Sequence, residues 1–229
     1  MLQVASAELG VSVDRIKITP TNTSKIPNTS ATAASSGSDL NGMAVKNAVD
    51  QLKSRIKSIA PEILVEMFPD KKVLSENITI ENDSVFDTTQ TEVCCGFEAF
   101  CAKAYLKQTH LSAAGFYRTP DIWFDRPKGV GKPFHYYTYG MSVSEVEVNL
   151  LTGRVKLLRA DVVEDAGTSI NPMIDKGQVI GGFVQGLGWV TTENLKWNHD
   201  GKLLNASPDT YKIPTITDVP VEMNIELLE

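Results

Sequence analysis

The feature that most constrains this 229-residue chain lies in its second half. Residues 136–150, YYTYGMSVSEVEVNL, alternate apolar and polar side chains; LTGR then turns, and VKLLRADVV follows. Period-two alternation on both sides of a glycine-containing turn predicts a pair of β-strands. Asn171-Pro172 next supplies a helix N-cap and a proline at the first helical position. The helix it opens, MIDKGQVIGGFVQGLGWVTTE, carries five glycines, at 177, 181, 182, 186 and 188. Each costs up to about 1 kcal/mol against alanine in a helix interior. So many glycines predict close approach of another backbone or of a ligand. Beyond them, NLKW-NHDG-KLL predicts a hairpin turning at Asp200-Gly201.

The first half is more varied. Residues 2–9 predict a short helix ended by Gly10, and Arg15–Thr19 a strand. A capless helix at the very start suggests a chain cut from something longer. Leu40, Met43, Ala44, Ala48, Leu52, Ile56 and Ile59 recur at helical spacing, and Pro61 should break that helix. Residues 67–96 are polar and mixed, and predict an exposed insertion carrying one short strand, Ile78–Ile80. A second helix is expected over Phe97–Lys107 and a strand over Leu111–Arg118.

Composition removes several function classes. With 42% apolar and 22% charged residues the chain reads as an ordinary globular protein. A net charge of −6, with no basic run among aromatics, argues against nucleic acid or an anionic membrane surface. No run of about 18 apolar residues suggests a transmembrane helix, and MLQVASAELG lacks the basic start of a signal peptide. The C-terminal LLE is not a peroxisomal tripeptide. Cys94, Cys95 and Cys101 fit neither a disulfide framework nor a zinc site, which points to a reducing compartment, cytoplasmic or peroxisomal.

Motif chemistry gives little on its own. None of His110, His135 and His199 pairs with a serine in a nucleophile motif. GGFVQGLG lacks the preceding strand and the Gly-Lys-Ser/Thr of a phosphate loop. Glu145, Glu147, Asp161, Glu164 and Asp165 sit on alternating strands, where carboxylates face water or pair with cations. Gln178 can be a satisfied core amide or a ligand contact. The stretch PNTSATAASSGSDLNG, residues 27–42, supports two readings equally. Ser38 or Asp39 can cap the helix that follows. Alternatively Ala33, Ala34, Ser35, Ser36, Gly37 and Ser38 can form a cradle of small residues at an anion-attracting helix start.

Six stretches occur in one order: PNTSATAASSGSDLNG, HLSAAGFYRTP, PFHYYTYG, SEVEVNLLTG, SINPMIDKGQVIGGFVQGLG and TYKIP. Together they closely resemble the molybdenum-binding C-terminal part of the xanthine dehydrogenase/oxidase family of molybdenum hydroxylases. The resemblance covers nearly all of residues 1–229, with 67–96 as an insertion. It implies an α+β fold, with mixed sheets, packed helices and two subdomains that clasp a molybdopterin cofactor bearing molybdenum.

In such proteins no side chain ligates the metal. The positions matching Ala33 and Ala34 approach the metal centre and the substrate. Those matching Ser35, Ser36, Gly37 and Ser38 help to hold the pterin, and Gln178 matches a cofactor-contacting glutamine. The implied reaction is hydroxylation of a purine carbon with water-derived oxygen, xanthine or hypoxanthine going to urate in a homodimer. FAD and two [2Fe-2S] clusters lie in other domains. The general-base glutamate is expected beyond Glu229, so this stretch alone is expected to be inactive and to expose an apolar face that favours self-association. An aldehyde oxidase, or a non-catalytic scaffold or dimerisation module, is the alternative.

Overall fold

The computed structural model describes residues 1–24 and 36–228. They form two units, Met1–His135 and Tyr136–Glu229.

In the first unit, helix α1 (Leu2–Leu9) ends as expected at Gly10, whose φ of 77° is left-handed and whose N–H returns to the Ser6 carbonyl. Helix α2 (Gly42–Met67) is preceded by a wide π turn, Gly37–Asn41, and runs straight through Pro61. The expected break fails because of burial. Proline removes one helix hydrogen bond and costs about 3 kcal/mol. On either side of it, however, Ala60, Ile63 and Leu64 are fully buried. Burying two such aliphatic side chains contributes about 3–6 kcal/mol. Packing wins.

The segment 67–96 is not exposed as expected. It supplies strands β1 (Ile78–Glu81), β2 (Ser84–Asp87) and β3 (Gln90–Gly96), an antiparallel sheet in that order. Ile78, Ile80, Val85, Val93 and Cys95 point into one core with Ile56, Ile63 and Leu64 of α2 and with Phe100. Most of its polar residues occupy the alternate, outward positions and the turns, whereas Asp87 is fully buried. Asn82 and Asp83, at φ 50° and 60°, make a two-residue hairpin turn with both centres left-handed. Asp83 also ties down the chain after α1. Its N–H donates to the Gly10 carbonyl at 3.2 Å, and its carboxylate accepts from the Ser12 N–H at 2.8 Å. Arg15 lies 3.3 Å from that carboxylate and 3.4 Å from Glu98. So tethered, residues 13–15 form a single 3-10 turn, and the strand expected over Arg15–Thr19 does not form.

Helix α3 (Phe97–Leu106) buries Phe100 and Ala104. Just after it, Lys107 clamps α2 through Glu62 at 2.6 Å and Glu66 at 2.5 Å. Leu111–Arg118, expected as a strand, alternates half-buried and exposed residues but has no strand partner. It lies instead along α2. The Asn47 amide donates to the Phe116 carbonyl at 2.6 Å and the Gln51 amide to Ala114 at 3.1 Å. Arg55 donates to the carbonyls of Ser112 and His110, at 2.5 and 3.2 Å. A short hairpin, β4 (Trp123–Asp125) with β5 (Val130–Lys132), closes the unit.

The second unit is built on the anticipated pair. Strands β6 (Tyr139–Val148) and β7 (Val155–Asp165) are antiparallel, with Met141 opposite Val163 and a register shift at Glu145/Val146. Strand β8 (Glu222–Leu227) then joins β7 in parallel, Ala160 opposite Met223, so this sheet is mixed. Helix α4 (Pro172–Thr191) starts where Asn171-Pro172 predicts, the Asn171 side chain accepting from the Ile174 N–H. The expected hairpin at Asp200-Gly201 shrinks to one bridge, Trp197 to Leu203. The α+β class with mixed sheets and packed helices therefore holds. Among the described residues, no helix is long and apolar enough to cross a membrane.

Candidate functional site

Two local structures hold the candidate residues, one in each unit. The first is the turn that opens α2. Ser36, at φ −90° and ψ 2°, accepts from the Leu40 N–H at 3.1 Å. At the end of this π turn the Gly42 N–H is shared between the carbonyls of Ser38 and Asp39, an α-type and a 3-10-type bond that lead into α2. The Ser36 side chain makes no capping bond to the turn, and Ser38 and Asp39 lie inside the turn rather than before it. The capping reading of this stretch is thereby corrected. Asp39 turns its carboxylate on the N–H of Leu40 at 3.0 Å. Ser38 is exposed, whereas Ser36 and Gly37 are half-buried. Ala33, Ala34 and Ser35 lie outside the described residues.

The second structure is the first half of α4. Gln178 is exposed there, not the core amide that its apolar neighbours suggested. The reason is visible beside it. Side chains built on Gly177, Gly181, Gly182 or Gly186 would meet no described atom within 4 Å. Among the five, only a Cβ on Gly188 would meet described atoms, and these are side chains, Glu193 Oε1 at 2.2 Å and Pro214 Cδ at 2.6 Å, not the other backbone that was anticipated. Gln178 thus stands on a bared strip of helix backbone. A cleft of about 790 Å3 opens near the start of α4, between residues that include Asp161, Ser169, Lys176 and Asn224; Gln178 is not among them.

Sequence reasoning named no acid or base in either place, and of the two carboxylates that line the cleft, Asp161 and Glu226, the first is already engaged. Arg159 donates two hydrogen bonds to Asp161, at 2.7 and 3.0 Å, and Asn224 a third at 2.6 Å. The guanidinium first, then the amide, hold the Asp161 carboxyl below the usual range. Tyr211, in the TYKIP stretch, donates to Glu193 at 2.5 Å, and that bond raises the phenol's pKa. His110 lies 2.7 Å from the Ser112 hydroxyl on the surface, and His199 pairs with Asp200 at an exposed turn. What reasoning from sequence missed is the row Asn47, Gln51 and Arg55. Its signal was legible, three polar side chains spaced by four on one helix face.

All three cysteines are free, with Cys94 exposed, Cys95 buried and Cys101 between them. Burial pushes both the Cys95 and Cys101 thiols upward. A thiol above its usual range is almost fully protonated at pH 7.5, and only the thiolate alkylates readily. Iodoacetamide at that pH is therefore expected to label Cys94 first, with Cys95 and Cys101 at least tenfold slower until the chain is denatured. Peptide mapping over time reads this directly.

Residues 1–220 match the family model described as the molybdopterin cofactor-binding domain. Over 228 residues the chain is 43% identical to aldehyde oxidase 2 of Macaca fascicularis, covering all of this chain and 15% of that protein. It is 40% identical to xanthine dehydrogenase/oxidase of Gallus gallus over the same length, again 15% of that protein. Among solved structures, quinoline 2-oxidoreductase from Pseudomonas putida 86 matches all of this chain and 27% of its own, with a TM-score of 0.77 and 26% identity. The Cu,Mo-CO dehydrogenase aligns at a TM-score of 0.81 and 23% identity over 99% of this chain and 26% of its own, a likeness of fold alone. The chain thus spans about 15% of the length of the curated relatives it matches.

Proposed function

The chain belongs to the molybdopterin cofactor-binding domain family, and we propose that it contributes part of the cofactor wall of a molybdenum hydroxylase. The supporting observation is that one family-matched stretch holds both a turn of small residues, Ser36–Ser38, at the start of α2 and an exposed amide, Gln178, on a glycine-bared strip.

The residues present suit such a group. A phosphorylated pterin asks for N–H donors at a helix start and for small hydroxyl-bearing side chains, which Ser36, Gly37 and Ser38 provide. Its flat ring system asks for a surface without Cβ atoms and for a neutral amide able both to donate and to accept, which α4 provides around Gln178. When bound, the cofactor supplies the redox chemistry of carbon hydroxylation. This chain's residues hold and orient. Ser35, Ser36, Gly37 and Ser38 would hold the pterin, Gln178 would hydrogen-bond the cofactor, and Ala33 and Ala34 are the positions we assign to the substrate.

For the whole protein we place the activity at xanthine and hypoxanthine, oxidised to urate in a homodimer with FAD and two [2Fe-2S] clusters in other domains. A second reading, aldehyde oxidation, is favoured by the 43% identity to aldehyde oxidase 2. Assay of the full-length holoprotein with xanthine and with benzaldehyde separates them. We expect xanthine turnover to exceed aldehyde turnover by at least tenfold in kcat/KM; the reverse order selects the second reading. A purified full-length protein that holds no molybdenum and turns over neither compound would sink both.

A further inference from the structure

We infer that the extended segment 110–116 is a strap that positions the turn opening α2, with Asn47 as the positioning residue nearest that turn. The inference rests on the reading of Ser36–Ser38 as part of the cofactor wall.

The geometry begins with a match of periods. Four residues of an α-helix advance about 6.0 Å, and two residues of extended chain advance about 6.6 Å. Side chains four apart on a helix can therefore meet alternate carbonyls of an extended segment for a few steps before losing register. Asn47, Gln51 and Arg55 do so, reaching the carbonyls of Phe116, Ala114 and Ser112 in antiparallel order, with Arg55 also taking His110. All four acceptors are main-chain oxygens, so selectivity rests with the helix side chains and with one residue of the strap.

That residue is Gly115. A Cβ there would lie 1.8 Å from the Ala44 carbonyl oxygen and 2.8 Å from the Ala48 nitrogen. The strap is thus pressed onto the helix backbone at the end nearest the π turn, beside the Asn47 rung. The same end of α2 lies beside α1, since Gly42 is buried and a Cβ on it would meet Met1 and Val4 at 3.8 and 3.9 Å. The Gly42 N–H bonds the Ser38 and Asp39 carbonyls. A shift of this helix end therefore carries Ser36–Ser38 with it. The Arg55 rung, two turns further on, has no such connection.

The test compares the two ends of the ladder. Asn47→Ala removes the near rung, and Asn47→Asp keeps its shape while removing the donor. Arg55→Ala removes the far rung, which holds two carbonyls and carries charge-assisted bonds, so its effect on thermal unfolding should be at least as large. Amide exchange of residues 37–42 is followed by mass spectrometry in this chain, and pterin loss is followed in the full-length holoprotein.

Both Asn47 variants are expected to accelerate each process about fivefold, the yield of one net hydrogen bond. Arg55→Ala should leave both within twofold of the parent. Equal acceleration by Asn47→Ala and Arg55→Ala, or none by Asn47→Ala, would overturn the strap as a positioning device. Faster exchange with unchanged pterin loss would instead overturn the cofactor reading of the turn.

Discussion

A Gly115→Ala variant is expected to lose about 3 kcal/mol of stability in the first unit, at the upper end of what one inserted methyl costs. The methyl would sit 1.8 Å from the Ala44 carbonyl oxygen. That neighbour is backbone inside α2, so no rotamer change relieves the overlap. The strap has to lift, and lifting it weakens the bonds from Asn47, Gln51 and Arg55 that hold residues 110–116. For a unit of this size 3 kcal/mol corresponds to about 10 °C in Tm. Calorimetry of the whole chain should show the transition of the first unit falling by that much while the second stays in place. A drop below 2 °C would mean that the strap is not held against the helix.

Gly10→Ala should be at least as damaging, at about 4 kcal/mol, because two costs combine. The residue is left-handed at φ 77°, which costs an L-residue about 1–2 kcal/mol. A Cβ there would also lie 2.0 Å from the Ile80 carbonyl oxygen, within the core sheet. The two costs can be separated, since asparagine tolerates left-handed backbone but still carries a Cβ. Gly10→Asn should therefore recover about 1 kcal/mol at most relative to alanine. Full recovery by asparagine in chemical denaturation would assign the whole effect to dihedral strain and remove the clash from the account.

How far these features were readable depends on where their partners lie in sequence. Residues 2–10, Phe97–Leu106, the β6–β7 pair and the start of α4 were legible because their signals are local: a terminating glycine, a helical period, an alternation around a turn, Asn171 before Pro172. Strand β8 alternates as well, over Glu222–Leu227, yet its partner β7 is reached without any hairpin turn. Leu111–Arg118 shows another limit of local pattern. The pattern says that the chain is extended but not what it lies against, and a helix took the place of a strand. In 67–96 the strand at Ile78–Ile80 was legible, but the count of polar residues hid its partners β2 and β3 and the Asn82-Asp83 turn. At Pro61 the local breaking rule is outweighed by the burial of Ile63 and Leu64, which no window around the proline reveals.

The site was legible in a different sense. The choice of Ser36–Ser38 and Gln178 came from the order of motifs along the chain. The widened turn and the bared helix strip that give those residues physical meaning depend on backbone geometry that composition does not encode. The exposure of Gln178 follows from glycines at 177, 181 and 182 that offer nothing to bury it.

Strand β6 has a consequence for how solutions of this chain behave. All ten of its residues are exposed, with Tyr139, Met141 and Val143 at 72%, 70% and 60%. It borders its sheet, where unpaired peptide groups invite another strand. Its register breaks at Glu145/Val146, and carboxylates stand at 145 and 147, so a second copy cannot extend the ladder without burying charge beside an irregular edge. The greasy flat face remains. Crowded molecules of this chain should cluster through that face, reversibly and without much regard for salt, as droplets or amorphous clumps and not as ordered fibrils.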